Sequence, residues 1–156
     1  MITAEIRLCL RPGSGVNIIV TAGNRWRMDD GVGPYISSEL RSSDVLIVID
    51  AACRPENIVD KIISLNPAYI IFIDAADFGG KPGEARVLEA SDISTCSIST
   101  HSIPIPVIAQ IIHEEIRTEI RYIGIQLEKY SFGEGLSEAV LACADEIVDE
   151  IRKNFI

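Results

Sequence analysis

The sequence predicts one α/β domain: a twisted, mostly parallel sheet of about five strands sandwiched between helices. Three observations point there. Apolar runs alternate with segments of helical spacing along the whole chain. Two of those runs, "VLIVID" at 45–50 and "YIIFID" at 69–74, are continuously apolar, as strands covered on both faces must be. Aspartates gather just after the runs, where open α/β sheets bind their ligands.

The elements follow in order. The first fifteen residues read as a short helix opened by Thr3 and closed near Pro12–Gly13, although Ile6, Leu8 and Leu10 also alternate like a strand. Val16–Thr21 is the first expected strand, and Val32, Tyr35, Ile36 and Leu40 mark the helix after it. Val45–Asp50 is the second strand; Pro55 then opens a helix carrying Ile58, Val59, Ile62 and Ile63. Tyr69–Asp74 is the third strand. "GGKPGE" at 79–84 turns the chain into a weaker, antiparallel or edge strand, Glu84–Glu89. Pro104 and Pro106 introduce a helix with Val107, Ile108, Ile111, Ile112 and Ile116 on one face. Ile120–Leu127 is the last strand, and a helix from Leu136 to Arg152 ends the fold. Neither a repeat nor a linker interrupts this pattern, so residues 1–156 are expected to fold as one domain with 1–15 as an N-terminal extension.

Composition narrows the function. A net charge of −9 repels phosphate backbones and argues against nucleic acid as a partner. No apolar run is long enough to span a bilayer, so no membrane partner is expected. The opening "MITAEIRLCLR" lacks the apolar core of a secretion signal, which makes a cytoplasmic location the expectation. The four cysteines (Cys9, Cys53, Cys96, Cys143) form no C-x-x-C pair and read as reduced thiols. No G-x-G-x-x-G follows the first strand, and neither a phosphate-binding loop nor a G-x-S-x-G nucleophile elbow occurs.

The acidic residues carry the remaining signal. Asp29 and Asp30 follow the first strand, Asp50 ends the second, and Asp74 ends the third with Asp77 close behind. Carboxylates brought to one edge repel unless a cation or proton neutralises them, so a metal-contacting cleft is expected. Each aspartate has a local alternative: Asp30 as a helix cap, Asp50 and Asp74 as ties within their own loops. His101, in the loop "STHSIPIP", would complete a carboxylate, carboxylate, imidazole set suited to Ni²⁺, Zn²⁺ or Fe²⁺. His113 lies mid-helix in "IIHEEI", is not part of an H-E-x-x-H, and reads as a surface or rim residue.

Five segments in order ("GNRWRMDDGVGP", "IDAACRPEN", "FIDAADFGGKPGEARVLEASDIS", "STHSIPIPVIAQII" and "IGIQLEKYSFGEGLSEAV") resemble the NiFe-hydrogenase maturation endopeptidases, most of all the type that processes formate-hydrogenlyase large subunits. The resemblance spans about residues 16 to 150. It implies a protease, and hence a hydrolase, that removes a C-terminal extension from a nickel-loaded large-subunit precursor. It also implies no stored cofactor, the nickel being supplied by the substrate. Carried over by position, the nickel-contacting and catalytic residues are Asp30, Asp74 and His101. Asp29, Asp50, Cys53 and Asp77 would serve as supporting or substrate-facing groups. The chain departs from the family pattern at "TAGN", at "RWR" before the acid pair, and at "DAAC" (50–53), where Asp-Gly-Gly is usual. That last departure sustains the alternative of a non-catalytic protein of the same fold that inspects nickel insertion without cutting. A small-molecule Ni²⁺ or Zn²⁺ hydrolase is a third reading.

Overall fold

A computed structural model describes residues 2–52, 54–96 and 105–156. Among these, five strands form one sheet in the order β2-β1-β3-β5-β4. They are β1 Asn17–Thr21, β2 Leu46–Asp50, β3 Tyr69–Ala76, β4 Ala85–Leu88 and β5 Glu119–Gln126. The first three and β5 run parallel, whereas β4 pairs antiparallel with β5 and closes one edge. The helices are α1 Ala4–Cys9, α2 Val32–Ser38, α3 Val59–Leu65, α4 Ala90–Cys96, α5 Ile105–Ile116 and α6 Glu138–Phe155. The opening residues are helical, with the Thr3 hydroxyl accepting the Ile6 amide at 3.3 Å. One helix was not expected: α4, whose sequence "ASDISTC" carries too few apolar residues for a periodic stripe.

The continuous apolar strands have the physical cause that the pattern suggested. Ile71, Ile73 and Ala75 of β3 pack with α1, α2 and α6, while Ile70 and Phe72 pack on the other face with α3 and α5. Water reaches neither face of β1, so polar alternation there would bury unsatisfied groups. The amphipathic α6 lays Val140, Ala144, Ile147, Val148 and Ile151 onto the first layer. The N-terminal segment belongs to the same core, through Ile2, Ile6 and Leu10.

Two local features set the site edge. Register places Thr21 of β1 beside both Asp50 and Ile73, so β1 and β2 finish level while β3 runs on past them to Ala76. Backbone bonds then lock the exits together: Ala22 donates to the Ile73 carbonyl at 3.2 Å, and Gly23 to that of Ala52 at 2.8 Å. Gly33, in the first turn of α2, lies so near the β1 exit that an added methyl would collide with the Ala22 backbone. An alanine inside a helix ordinarily stabilises by ~1 kcal/mol over glycine. Here the collision should reverse the sign, and Gly33→Ala should cost about 1–3 kcal/mol, read as a lowered thermal midpoint by circular dichroism.

Candidate functional site

The carboxyl edge is built from a segment that β1 cannot continue. After Thr21 the chain turns through Gly23 and Asn24, and a short 3-10 turn, Met28–Gly31, runs directly into α2. Both aspartates of this turn are buried. Their roles differ.

Asp29 faces the β5–α6 loop. Its carboxylate accepts the amides of Glu128 (2.9 Å), Lys129 (2.8 Å) and Ser137 (2.7 Å), and the Ser137 hydroxyl at 2.7 Å. Burial disfavours the charged form, but these hydrogen bonds outweigh it and hold the carboxyl below its ordinary range. Ser137, the residue before α6, thereby gives its hydroxyl to Asp29 rather than capping its own helix. Backbone bonds reinforce the clasp: Asp29 donates to the Lys129 carbonyl and Met28 to that of Gly133.

Asp30 turns the other way. Its Oδ2 accepts the Asn24 amide at 3.0 Å, which closes the loop leaving β1 around the carboxylate. The 28–31 turn packs against β3, which carries Asp74 one residue beyond the Ile73 rung. Asp74 Oδ1 accepts the Ala75 amide at 2.8 Å. The side chain lies in the wall of a narrow cavity with Phe72, Ile93, Ile105 and Tyr122. Phe72 and Tyr122 stack beneath it with ring centroids 5.8 Å apart. Two carboxylates from different segments thus share the edge where ligands enter such sheets.

Comparison with known proteins identifies the family of this fold. A family model described as hydrogenase maturation protease matches residues 32–154. The chain belongs to this family. It is 26% identical over 139 residues to the hydrogenase 3 maturation protease of Escherichia coli K12, covering 87% of this chain and 88% of that one. The crystal structure of a hydrogenase 3 maturation protease superposes with a TM-score of 0.76 at 26% identity, over 87% and 88% of the two chains. The crystal structure of the NiFe hydrogenase maturation protease HycI from Thermococcus kodakarensis gives 0.82 at 27% identity, over 92% and 94%.

Within this maturation-protease fold, not every acidic residue joins the edge site. Asp50 follows Ile49 on edge strand β2, and the pleat turns it toward the α2 face, beside Pro34 and Ser37. Asp74 follows Ile73, which packs on that α2 face, and so turns to the α3–α5 face. The expectation that the strand-end aspartates meet in one cleft therefore fails for Asp50; its Oδ1 instead accepts the Ala52 amide at 2.8 Å. Asp77 is held in its own loop, its Oδ1 accepting from Gly79 at 3.3 Å and from the Gln126 side chain at 3.1 Å. His113 is exposed near the opposite edge, its Nδ1 2.9 Å from the Thr118 carbonyl oxygen ahead of β5. Cys53 and His101 lie outside the described residues, and among the described residues no three His, Cys, Asp or Glu side chains are grouped to hold a metal.

Sequence reasoning missed the groups that hold the edge together. Asn24, Gly23 and the loop residues Glu128, Lys129 and Ser137 all come from polar, turn-forming stretches without periodicity. The adjacent acids in "MDDG" were the available hint, since a buried pair needs donors from somewhere.

Asp29→Asn keeps the size of the side chain but turns an amide toward several donors. It should lower stability by about 3 kcal/mol, or roughly 6–12 °C in thermal midpoint for a domain of this size. Because the carboxyl is depressed in the folded protein, its contribution is full above the unfolded value near ~3.9 and is lost as pH falls through the folded one. The gap between wild type and Asp29→Asn in melts should therefore narrow on acidification below about pH 4.

Proposed function

We propose that this maturation protease removes the C-terminal extension of a nickel-loaded NiFe-hydrogenase large-subunit precursor, and that Asp30, Asp74 and His101 grip the nickel carried by that substrate. The observation that carries the reading is the division of the acid pair. Asp29 is committed to four hydrogen bonds within the fold, while Asp30 is buried at the same edge as Asp74. His101 stands four residues ahead of Ile105, which shares a cavity wall with Asp74. Two carboxylates and an imidazole suit a borderline divalent ion and leave positions open for the substrate's own ligands. The nickel is substrate, and the protein stores no cofactor.

The chemistry is hydrolysis of a peptide bond. A cation held at the edge would polarise the scissile carbonyl or activate the attacking water, either of which is Lewis-acid catalysis. We place the reaction in the cytoplasm, since the opening "MITAEIRLCLR" lacks the apolar core of a secretion signal; the described helices include none long and apolar enough to cross a membrane.

The non-cutting alternative rests on "DAAC", and the loop geometry speaks to it. Ala52 adopts a left-handed backbone with φ of 51°. Its carbonyl accepts the Gly23 amide and its own amide bonds to Asp50, so the loop follows the course glycine would permit despite the added methyl. The cost is conformational, about 1–2 kcal/mol. Ala52→Gly should raise stability by about 1 kcal/mol in denaturant melts and leave processing intact. A gain of cutting activity from none would instead favour the alternative.

The direct test is mobility of nickel-loaded precursor on gels. His101→Ala should abolish conversion to the mature subunit while melting like wild type, and Asp74→Ala should abolish it at a stability cost of about 1 kcal/mol for the lost Ala75 hydrogen bond. Asp30→Ala should also abolish it, at a stability cost of about 1 kcal/mol for the lost Asn24 hydrogen bond. His113→Ala should process normally. Wild-type cutting by His101→Ala would break the proposed ligand set.

A further inference from the structure

Beside the acid pair lies a group that no part of the nickel site uses. Arg27 immediately precedes the Met28–Gly31 turn, and its guanidinium sits over two rings of the β5–α6 loop. It lies 5.6 Å from the centroid of Tyr130 and 5.8 Å from that of Phe132. Its neighbour Arg25 differs: that guanidinium lies over Trp26 at 4.7 Å and is paired with Glu134 at 3.4 Å. Among the described residues Arg27 has no carboxylate partner, although the chain carries 23 acidic residues against 14 basic ones. An arginine held half-buried against aromatic faces, with its fork unmatched, is pre-organised to take a carboxylate in two parallel hydrogen bonds.

Its position ties it to the cut. Tyr130 feels both neighbours: burial and the charge of Asp30 raise its phenol, and Arg27 acts against them. Arg27 lies three residues from Asp30 at the start of the same turn, so the guanidinium and its rings flank the carboxylate edge. Around it, Trp26 is 49% and Phe132 82% exposed, large apolar surfaces left uncovered next to the site. The backbone beneath is rigid: Gly133 bridges Arg27, donating to the Trp26 carbonyl at 2.8 Å while accepting the Met28 amide at 3.0 Å.

We infer that Arg27, held by Tyr130 and Phe132, is a specificity-determining residue that binds a carboxylate of the precursor's C-terminal region, while Trp26 and Phe132 cover the apolar part of the same segment. The inference rests on the precursor-processing reading. A chain with net charge −9 repels an acidic peptide in general, so one unmatched guanidinium at the rim fixes where such a peptide can lie. Arg27 touches neither nickel nor the scissile bond in this scheme. It acts on binding and leaves the chemical step alone.

The test uses the full-length protein and nickel-loaded precursor under steady-state conditions. Arg27→Ala should lower kcat/KM by about tenfold or more with kcat nearly unchanged, because uniform binding is lost. Arg27→Lys keeps the charge without the fork and should recover only part of it. The partner is then found by changing each Asp and Glu of the precursor's last 40 or so residues (roughly the reach of a docked tail and its flank) to Lys, and by a tail lengthened past its terminal carboxylate. One of these changes should slow wild type as much as Arg27→Ala does, and slow Arg27→Ala no further. If it is a side chain, Arg27→Glu should restore cutting of its Lys variant; if only the lengthened tail behaves so, the terminal carboxylate is the ligand. Circular dichroism melts, with Phe132→Ala as a second variant that leaves the charge in place, separate binding from misfolding. Unchanged kcat/KM in Arg27→Glu, a fall in kcat alone, or additive losses with every precursor change would overturn the assignment. Wild type that neither cuts nor retains the precursor would instead overturn the processing reading itself.

Discussion

The buried carboxylate of Asp29 is the constraint on which the site edge depends. A charge fully removed from water must be met by donors, and here three amides and a hydroxyl of the β5–α6 loop supply them. The requirement is reciprocal. Those loop amides have no strand or helix to bond to, and the carboxylate gathers them at one point. The clasp fixes the 28–31 turn against a loop a hundred residues away in sequence and sets where α6 begins. It also sustains a strained residue, since Met28 takes φ of 52° immediately before the aspartate.

With Asp29 so committed to the distant loop, its neighbour Asp30 faces the exit of β1. Adjacent residues of a tight turn point in different directions, so two carboxylates that are consecutive in sequence meet different surroundings. One is answered by fixed amides of a distant loop, the other by the Asn24 amide at the mouth of β1. A pair of acids that would repel in an extended chain is thereby separated by structure. The same clasp carries Tyr130 and Phe132 to the flank of the turn, where both rings meet the guanidinium of Arg27.

The two-residue period of a strand decides a second question. Asp50 ends β2 and Asp74 lies near the end of β3, one rung beyond the level of Asp50, so they differ by one step of the pleat relative to the buried layers. Asp50 turns to the α2 face and stabilises its own turn, whereas Asp74 turns to the α3–α5 face above Phe72 and Tyr122. Edge position matters as well. Strand β1 lies between them, so even equal facing would leave the two carboxylates two strands apart.

The sequence by itself determined the layered α/β fold, because doubly covered strands must be apolar throughout and helices must show one apolar face. "VLIVID", "YIIFID" and the stripe of α6 each state this locally. It also placed Asp29 and Asp30 after a strand and Asp74 towards the carboxyl end of another, and hence near the edge where ligands bind. Only the tertiary structure decided which acids do what. The partners of Asp29 lie in the 128–137 stretch, and a stretch of turn-forming polar residues has no period from which pairing can be read. The exclusion of Asp50 required strand order and facing, which follow from how strands assemble and not from any one strand. Helix α4 escaped for a related reason: a seven-residue segment with few apolar side chains is helical through its neighbours, not through its own pattern.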